Sequence, residues 1–494
     1  MTRSSEGARQ YTGGMRTPIA HVATLLAGIT IPSAALAADQ SPGLVIIAPD
    51  EFINALGPYA NERNTDIPTR LIPLKIALLQ AADIPITPGQ PFPPAADDAE
   101  LLKRFLFNEW REKHVAFALL VGDADVMPVR YMCLDRVTTP AFDYAFYPSD
   151  LYYADVAKAD GSFEDWNAQR QGFHAQYFGE VRGEKNKTDP INFDDIDYKP
   201  EIAVGRWPVS TSDQAAAVAA KILRHLASIP PDLQARRPGA ALIACGGWIE
   251  NRSAMDTFAT TLAGNNWNVE KRYFADSSRD DHTPAPDADN VIALANAGCD
   301  VIIHSGHGSD DSWADSISVT SIPKIKGWHA DGRPSGHLPV MMSVGCSTAR
   351  FATLPPYEAY VDISGAAHAG TNNGEVFTQP PPPPACYQTG EYNLTGLGEK
   401  SLRALTSGAV AYIGCNTGSQ PCGMTLAEGF INALPAGVAS ARLGECWNQA
   451  LRHYFDVEHL AALVPVDGNW YPPSIFFQGM KFMLYGDPSL SIAR

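Results

Sequence analysis

Two short apolar runs, each ending in a reactive side chain beside glycine, constrain the fold of this chain most. Residues 301–313 read Val-Ile-Ile-His-Ser-Gly-His-Gly-Ser-Asp-Asp-Ser-Trp, and residues 338–346 read Leu-Pro-Val-Met-Met-Ser-Val-Gly-Cys. Near-continuous apolar runs are typical of strands buried on both faces of a parallel sheet. Because functional groups gather beyond the carboxyl ends of such strands, we expect His307 and Cys346 to meet at one edge.

Strand and helix patterns alternate along most of the chain, which predicts right-handed crossovers. The predicted strands are residues 43–48, 115–123, 201–208, 240–245, 268–274, the two runs ending at His304 and Val344, 409–414 and 482–488. A helix is predicted after Glu51, and further helices are predicted at residues 98–114, 212–227, 253–263, 287–297 and 398–407, with two more before the last strand. We therefore predict an α/β fold with mostly parallel sheets flanked by helices.

Proline-rich segments divide the predicted fold. A predicted linker at residues 230–239 separates an N-terminal α/β subdomain at 39–232 from a C-terminal subdomain at 239–494. A second segment, 355–398, contains a run of prolines and predicts an irregular surface excursion. Residues 150–190 lack periodicity and predict long loops.

The first 38 residues predict a secretory signal peptide. A basic residue, Arg16, precedes an apolar stretch that ends in Ala35-Leu36-Ala37, as signal peptides do. The stretch is too short to span a bilayer comfortably. We expect an exported protein, periplasmic or secreted, without a stable membrane span; a membrane anchor and a buried helix are the alternatives.

The charge of the chain argues against one class of partner. The formal net charge is −17, with 54 acidic and 37 basic residues. Binding to a phosphate backbone requires clustered lysine and arginine. We therefore expect no nucleic acid partner.

The eight cysteines would reach a compartment that permits disulfides. The pairs that we consider first are Cys415 with Cys422, or Cys386 with either of them. Sequence alone does not determine the connectivity. We expect most of these cysteines to be small buried apolar residues, with Cys346 kept as a thiol.

Cys346 and His307 together predict nucleophilic catalysis by a thiolate. A thiol is mostly protonated at neutral pH, and an imidazole can take its proton and stabilise the thiolate. Gly306 and Gly308 let the chain turn sharply on either side of the histidine. We expect the backbone N–H groups of Gly308 and Cys346 to bind a developing oxyanion.

Other interpretations of these residues stay open. His304 and His307 are also suitable zinc ligands, with Asp310 or Asp311 as a third. A buried cysteine and a core histidine with satisfied hydrogen bonds are each common in proteins.

A series of landmarks in the right order resembles the gingipain-like cysteine peptidases, peptidase family C25, which have a caspase-type fold. Gly306-His307-Gly308-Ser309 followed by Trp313 matches the block of the catalytic histidine, and Cys346 after its apolar strand matches the catalytic cysteine. The other landmarks are residues 119–123 with Pro128, 150–153, 204–208 and 486–490. The resemblance covers roughly residues 42–492. It implies a caspase-like catalytic subdomain at 239–494 and a secreted endopeptidase that acts through a Cys-His dyad and a thioacyl-enzyme.

The resemblance also implies roles for residues around the dyad. The family has an acidic residue that orients the histidine, for which Glu250 is the candidate and Asp256 the alternative. Asp310, Asp311 and Trp313 are candidates for the substrate pocket. The archetypes select Arg or Lys with an acidic pocket, but the corresponding loop differs here, so the resemblance does not imply basic specificity.

The remaining expectations concern the cofactor and the control of activity. The chemistry requires no cofactor, but the resemblance implies a structural calcium ion, for which Asp150 and Asp155 are candidate ligands, with Asp143 and Asp160 nearby. Solvated loop acids are the alternative. The substrate would be a polypeptide, and we expect control by the proline-rich excursion, a separate inhibitor protein or a metal. A catalytically silent caspase-like binding or assembly module of the cell envelope is the alternative function.

Overall fold

The computed structural model describes most of the chain between residues 42 and 492. The described residues are 42–82, 94–95, 97–133, 146–166, 191, 196–228, 237–277, 282–327, 336–350, 360–361, 367–368, 396–436, 441–464 and 471–492. The predicted signal peptide and most of the proline-rich excursion lie outside them. Among the described helices, none is long and apolar enough to cross a bilayer.

The described segments form strands and helices in alternation. The strands are β1 Gly43–Ala48, β2 Thr69–Pro73, β3 Val115–Val121, β4 Tyr131–Cys133, β5 Phe146–Pro148, β6 Ala203–Trp207, β7 Gly239–Ala244, β8 Asn268–Tyr273, β9 Val301–Ser305, β10 Val340–Ser343, β11 Tyr360–Val361, β12 Ala367–His368, β13 Ala411–Cys415, β14 Ala441–Arg442, β15 Phe482–Tyr485 and β16 Ser491–Ile492. The helices are α1 Ile53–Arg63, α2 Leu74–Ala82, α3 Asp98–Lys113, α4 Leu151–Ala154, α5 Ser212–Leu226, α6 Arg252–Gly264, α7 Ala288–Asn296, α8 Leu397–Arg403, α9 Gly423–Ala433, α10 Leu443–Val457 and α11 Tyr471–Gln478.

One sheet organises the described part of the chain. Its ten strands lie in the order β2-β1-β3-β6-β15-β13-β10-β9-β7-β8. Neighbouring strands are parallel, except that β13 and β15 are antiparallel. The predicted α/β fold with mostly parallel strands is therefore confirmed. The antiparallel pair divides the sheet into two blocks that run in opposite directions: block I is β2-β1-β3-β6-β15, and block II is β13-β10-β9-β7-β8.

A close approach of two glycines marks the place where β6 meets β15. A Cβ atom on Gly205 would collide with the carbonyl oxygen of Gly486, so this pairing requires glycine. Next to it, Asp487 accepts hydrogen bonds from the Tyr59 hydroxyl at 2.6 Å and from the Arg63 guanidinium at 3.1 Å. The sequence landmarks at 204–208 and 486–490 are therefore in contact at the place where β6 pairs with β15.

The predicted subdomain boundary falls between β6 and β7. The main sheet continues across this point, because β15 from the end of the chain pairs with β6. The division into residues 39–232 and 239–494 stays a prediction.

The core lies on both faces of the sheet. Strands β1 and β7 are almost completely buried, as their continuous apolar sequences require. Helices α9 and α10 pack against each other, and α1 packs against α5. Burial of these apolar faces is the main favourable contribution to folding.

Most predicted elements have the expected bounds within a few residues. The strand at 43–48 agrees completely, and the helix at 212–227 ends one residue earlier. The sequence interpretation missed β2 and α2, because Pro68 and Pro73 interrupt the apolar pattern.

Candidate active site

The carboxyl ends of four block II strands meet at one edge of the sheet. Strands β9 and β10 are parallel neighbours, with Val301 opposite Val340 and His304 opposite Ser343. Strand β7 flanks β9, and β13 flanks β10. The turns that follow these strands therefore lie side by side, as the sequence predicts.

The turns after β9 and β10 touch through their backbones. A Cβ atom on Gly308 would lie 2.7 Å from Thr348 Cγ2 and 2.8 Å from the Cys346 carbonyl oxygen. A Cβ atom on Gly345 would lie 3.1 Å from both the Cα and the N atom of Gly308. The close approach needs a residue without a side chain on each turn, and it places His307 and Cys346 on adjoining segments.

The two side chains line one cleft with an empty volume of about 480 Å³. Its described lining residues are Gly247, Trp248, Ile249, Asn251, Ser305, Gly306, His307, Val344, Cys346, Ser419, Gln420, Pro421 and Met424. They come from the carboxyl end of β9, from the segments that follow β7, β9, β10 and β13, and from the start of α9. The structure therefore brings the predicted cysteine and histidine to a shared surface.

Cys346 sits on a sharp turn. The next residue, Ser347, has a φ of +57°, a left-handed conformation that is uncommon for a residue with a side chain. Its N–H donates to the Thr417 carbonyl at 2.8 Å, which ties the turn to the end of β13. The turn leaves the cysteine half-buried at the cleft.

Backbone groups of Ser419 contact the cysteine sulfur. The Ser419 N–H donates to Sγ at 3.3 Å, and the thiol can donate to the Ser419 carbonyl at 3.6 Å. Gln478 holds this segment by donating from Nε2 to the Ser419 hydroxyl at 2.8 Å. A backbone N–H directed at sulfur favours the thiolate form. Sequence reasoning missed this group, because a backbone donor carries no sequence signal.

His307 is exposed at the cleft, and its backbone is fixed on both sides. Its N–H donates to the Gly246 carbonyl at 3.3 Å, and its carbonyl accepts from the Ala314 N–H at 3.0 Å. The ring meets the Trp248 ring edge to face, with centroids 6.2 Å apart. No described residue hydrogen-bonds to the imidazole, which leaves the ring available for proton transfer.

Gly308 carries a backbone donor at the same place. Its N–H makes no hydrogen bond to any residue that the structure describes. A preorganised, unused N–H next to a nucleophile is the type of group that stabilises an oxyanion.

Glu250 does not contact the imidazole. Both of its carboxylate oxygens accept hydrogen bonds from Arg252, at 2.6 to 3.1 Å. The same hydrogen bonds lower the pKa of Glu250. The alternative, Asp256, accepts from Lys271 Nζ at 2.7 Å and from the Tyr273 hydroxyl at 3.2 Å. The neighbouring guanidinium therefore holds the Glu250 carboxylate, and no described hydrogen bond joins this carboxylate to the imidazole.

The zinc interpretation does not fit His304. Its ring is buried and stacks on the Trp313 ring at 4.5 Å, and its Nδ1 lies 2.9 Å from the Ser343 hydroxyl. Burial lowers the pKa of His304 to about 3. The described residues place three possible metal-ligating groups together elsewhere, without either histidine. His304 is a neutral core residue.

Trp313 is buried in the core, so its predicted place in the substrate pocket is wrong. Only 1% of its surface is exposed, and its Nε1–H donates to the Tyr412 hydroxyl at 2.9 Å. Asp310 and Asp311 are absent from the described cleft lining. Asp311 accepts from the Ser309 hydroxyl at 2.8 Å, and the Asp310 carbonyl accepts from the Leu397 N–H at 2.7 Å.

The acidic residues proposed for calcium separate into two groups. Asp150 accepts hydrogen bonds from the buried Arg206 through both carboxylate oxygens, at 2.7 and 2.8 Å. The positive charge beside Asp150 is therefore a guanidinium and not a calcium ion. Asp160 lies in an exposed turn and accepts from Ser162. Asp143 lies outside the described residues.

Asp155 belongs to a different cluster. Oxygen atoms of Asp155, Glu164 and Asp197 lie within 4.8 Å of one another. Asp155 accepts from the Trp166 indole N–H at 2.7 Å, but its other oxygen is buried and has no described hydrogen-bond partner. Burial raises the pKa of Asp155 well above its ordinary value and that of Glu164 to about 7. This arrangement is suitable for a hard cation.

The candidate pair Cys415 and Cys422 is not joined by a disulfide bond in the structure. Cys245, Cys299, Cys346, Cys415, Cys422 and Cys446 are thiols in the structure. Burial raises the pKa of Cys245 and of Cys446 to about 12. Cys386 lies outside the described residues. Among the six described thiols, Cys346 is the one that is not buried.

Solved structures of cysteine proteinases share this fold. The structure described as the Arg specific cysteine proteinase gingipain R (RgpB) matches with a TM-score of 0.55 and 13% identity, over 92% of this chain and 79% of that one. The complex of Porphyromonas gingivalis RgpB pro- and mature domains matches with a TM-score of 0.55 and 14% identity, over 92% of this chain and 80% of that one. A structure described as a protease has a TM-score of 0.50 and 13% identity, over 91% of this chain and 78% of that one. No curated protein matches the sequence significantly.

The chain is a cysteine peptidase, and its substrates are accordingly polypeptides. It belongs to peptidase family C25, whose model matches residues 37–493. The resemblance found in the sequence motifs is therefore confirmed over almost the whole chain.

Proposed function

We propose that this protein is an exported cysteine endopeptidase in which Cys346 is the nucleophile and His307 the general base and acid. The observation that supports the proposal is the backbone contact between Gly308 and the turn of Cys346, together with the cleft that Cys346 and His307 both line. Export rests on the signal-like pattern of residues 1–38.

Acylation begins with transfer of the Cys346 thiol proton to the His307 imidazole. The sulfur attacks the scissile carbonyl carbon, and the carbonyl π electrons move onto oxygen, where the Gly308 N–H binds the oxyanion. When the oxyanion collapses, the C–N bond breaks. The imidazolium then gives its proton to the leaving amine, and a thioacyl-enzyme remains.

Deacylation reverses the roles. His307 takes a proton from water, and the hydroxide attacks the thioester carbon. The C–S bond breaks, and the sulfur leaves as a thiolate, which the Ser419 N–H stabilises by its hydrogen bond of 3.3 Å. The imidazolium then returns a proton to the thiolate, so that the carboxylic acid product is released and both groups are restored.

The experiment is a comparison of turnover on an unfolded polypeptide. Cys346→Ala should lower kcat by roughly 10⁴-fold or more, because the nucleophile acts as a unit with its base. Cys299→Ala, which removes a buried thiol at the opposite end of β9, should retain turnover. Mass spectrometry of the products should show internal cleavage, as an endopeptidase requires. Unchanged turnover by Cys346→Ala would refute the proposal, and an inactive wild type would favour the silent binding module.

We also propose that Asp155, Glu164 and Asp197 hold a structural calcium ion. The three carboxylates would supply hard oxygen ligands, and Asp155 Oδ1, which has no described hydrogen-bond partner, would be one of them. Such an ion would fix the loop after α4 and take no part in the chemistry. Calcium added to chelator-treated protein should raise the midpoint of thermal unfolding, and Asp197→Asn should reduce the increase. No calcium-dependent change in the wild type would exclude the site.

A further inference from the structure

The turn after β7 displays two large apolar side chains beside the nucleophile. Trp248 exposes 58% of its surface and Ile249 exposes 41%. Both line the cleft, together with Val344, Pro421 and Met424. Contiguous exposed apolar surface is uncommon on soluble proteins and marks sites of interaction.

The turn is fixed at its C-terminal end by Asn251, so the fold itself holds Trp248 and Ile249 in their exposed positions. Asn251 Nδ2 donates to the Cys245 carbonyl at 3.0 Å and to the carbonyl and hydroxyl of Ser305 at 2.9 and 3.0 Å. These bonds join the ends of β7 and β9. The next residue, Arg252, is buried and holds Glu250. The segment between β7 and these anchors presents Trp248 and Ile249 outward.

The described lining of the cleft contains no Asp, Glu, Lys or Arg. A lysine or arginine side chain of a substrate would lose water at this wall without gaining a carboxylate there. An apolar side chain would instead remove both its own surface and that of Trp248 from water. The wall is therefore complementary to an apolar substrate residue.

We propose that Trp248, Ile249 and Met424 form an apolar subsite, so that the enzyme selects substrates with an aromatic or large aliphatic residue next to the scissile bond. This specificity rests on the proposed peptidase function. Trp248 is the main determinant, because it is the largest of the three and its ring also contacts the His307 ring. A bound substrate side chain would thereby be held beside the catalytic imidazole.

The test is cleavage of a mixed peptide library by the full-length mature protein, with products sequenced by mass spectrometry. The wild type should cleave at bonds flanked on one side by Phe, Tyr, Trp, Leu or Met. Cys346→Ala in parallel identifies the cleavage that depends on the thiol. Cleavage at bonds flanked by Lys or Arg, without enrichment of apolar residues, would overturn the proposal and leave the peptidase assignment intact.

Trp248→Glu sharpens the test. It should lower kcat/KM for apolar substrates by roughly 10- to 200-fold, the range for a pocket contact, and increase the relative cleavage next to Lys and Arg. Leu79→Glu is the matched control, because Leu79 has a similar exposed fraction of 59% on α2, outside the cleft. This variant should keep the wild-type preference.

The midpoint of thermal unfolding of each variant shows whether it is folded. An unchanged preference in folded Trp248→Glu would overturn the role of this residue. The absence of any thiol-dependent cleavage by the wild type would overturn both the peptidase function and the subsite.

Discussion

The carboxyl ends of block I and block II both consist of turns that follow parallel strands. They differ in whether the polar side chains at these turns have partners inside the protein. In block I, Arg206 of β6 is buried and paired with Asp150 at 2.7 Å. Asp123 follows β3, is buried, and lies 3.7 Å from Arg403. In block II the corresponding turns leave a thiol and an imidazole at an open cleft.

The difference distinguishes a sheet edge that stabilises the fold from a sheet edge that is suited to catalysis. Where a charged group at a strand end has a close partner inside the protein, as Arg206 has in Asp150, the pair stabilises the fold and leaves no group for a substrate. At the block II edge, Asn251, Gln478, Arg252 and backbone groups form internal hydrogen bonds, but Cys346 and His307 stay accessible at the cleft. Substitutions at the two edges should therefore have separable effects on stability and on turnover.

The largest effect is expected at the block I edge. Asp150→Asn would leave the buried Arg206 without its counter-charge and should lower the free energy of unfolding by about 3–5 kcal/mol, measured by urea denaturation. Turnover per folded molecule should change little. Asp160→Asn, on an exposed turn, should stay within about 0.5 kcal/mol of the wild type. A loss of stability that appears only when calcium is present would contradict the assignment of Asp150 to Arg206.

The next effect is expected at the block II edge. Gly308→Ala places a methyl group against Thr348 and the Cys346 carbonyl oxygen, and should separate the two turns. We expect roughly a 100-fold loss of kcat, because a misplacement of about 1 Å has a cost of this order. The measurement is turnover of a polypeptide substrate.

Gly57→Ala is the control for this variant. A Cβ atom at Gly57 meets nothing within 4 Å, so alanine in helix α1 should retain turnover. It should raise stability by about 0.5–1 kcal/mol. Full activity of Gly308→Ala would show that the contact between the turns is not needed for catalysis.

The smallest effect is a pH dependence of stability. Burial raises the pKa of Asp123 to about 7 in the folded protein. Between about pH 4 and pH 7 the folded state then binds a proton that the unfolded state has lost, so this group makes stability fall as the pH rises. Asp123→Asn should therefore be more stable than the wild type at pH 8 by about 1–3 kcal/mol, and close to it at pH 4. Thermal unfolding at both pH values measures the difference, and an equal change at both would contradict the pKa shift.

The central strands, and the placement of His307 and Cys346 at one cleft, could be predicted from the sequence, because buried parallel strands have a continuous apolar pattern. The reversal of direction between the blocks could not, since it depends on where β15 inserts. The ion pair of Glu250 with Arg252 could not be predicted either, because spacing does not show which group a carboxylate faces.

Other parts of the site depend on contacts between distant segments. Trp313 follows His307 closely in sequence, yet its indole turns into the core against His304. Glu164 and Asp197 join Asp155 from segments without periodicity, where no pattern indicates a common position. The apolar character of Trp248 and Ile249 is visible in the sequence, but their exposure is not.

The central claim is that His307 acts on the Cys346 thiol, and alkylation by iodoacetamide tests it most directly. In the native protein at pH 7, Cys346 should be labelled much faster than Cys245 and Cys446, whose pKa values burial raises to about 12. His307→Ala should shift the pH dependence of Cys346 labelling upward, because the thiolate loses the imidazolium that stabilises it. Labelling of Cys346 with the same rate and pH dependence in His307→Ala as in the wild type would contradict the account.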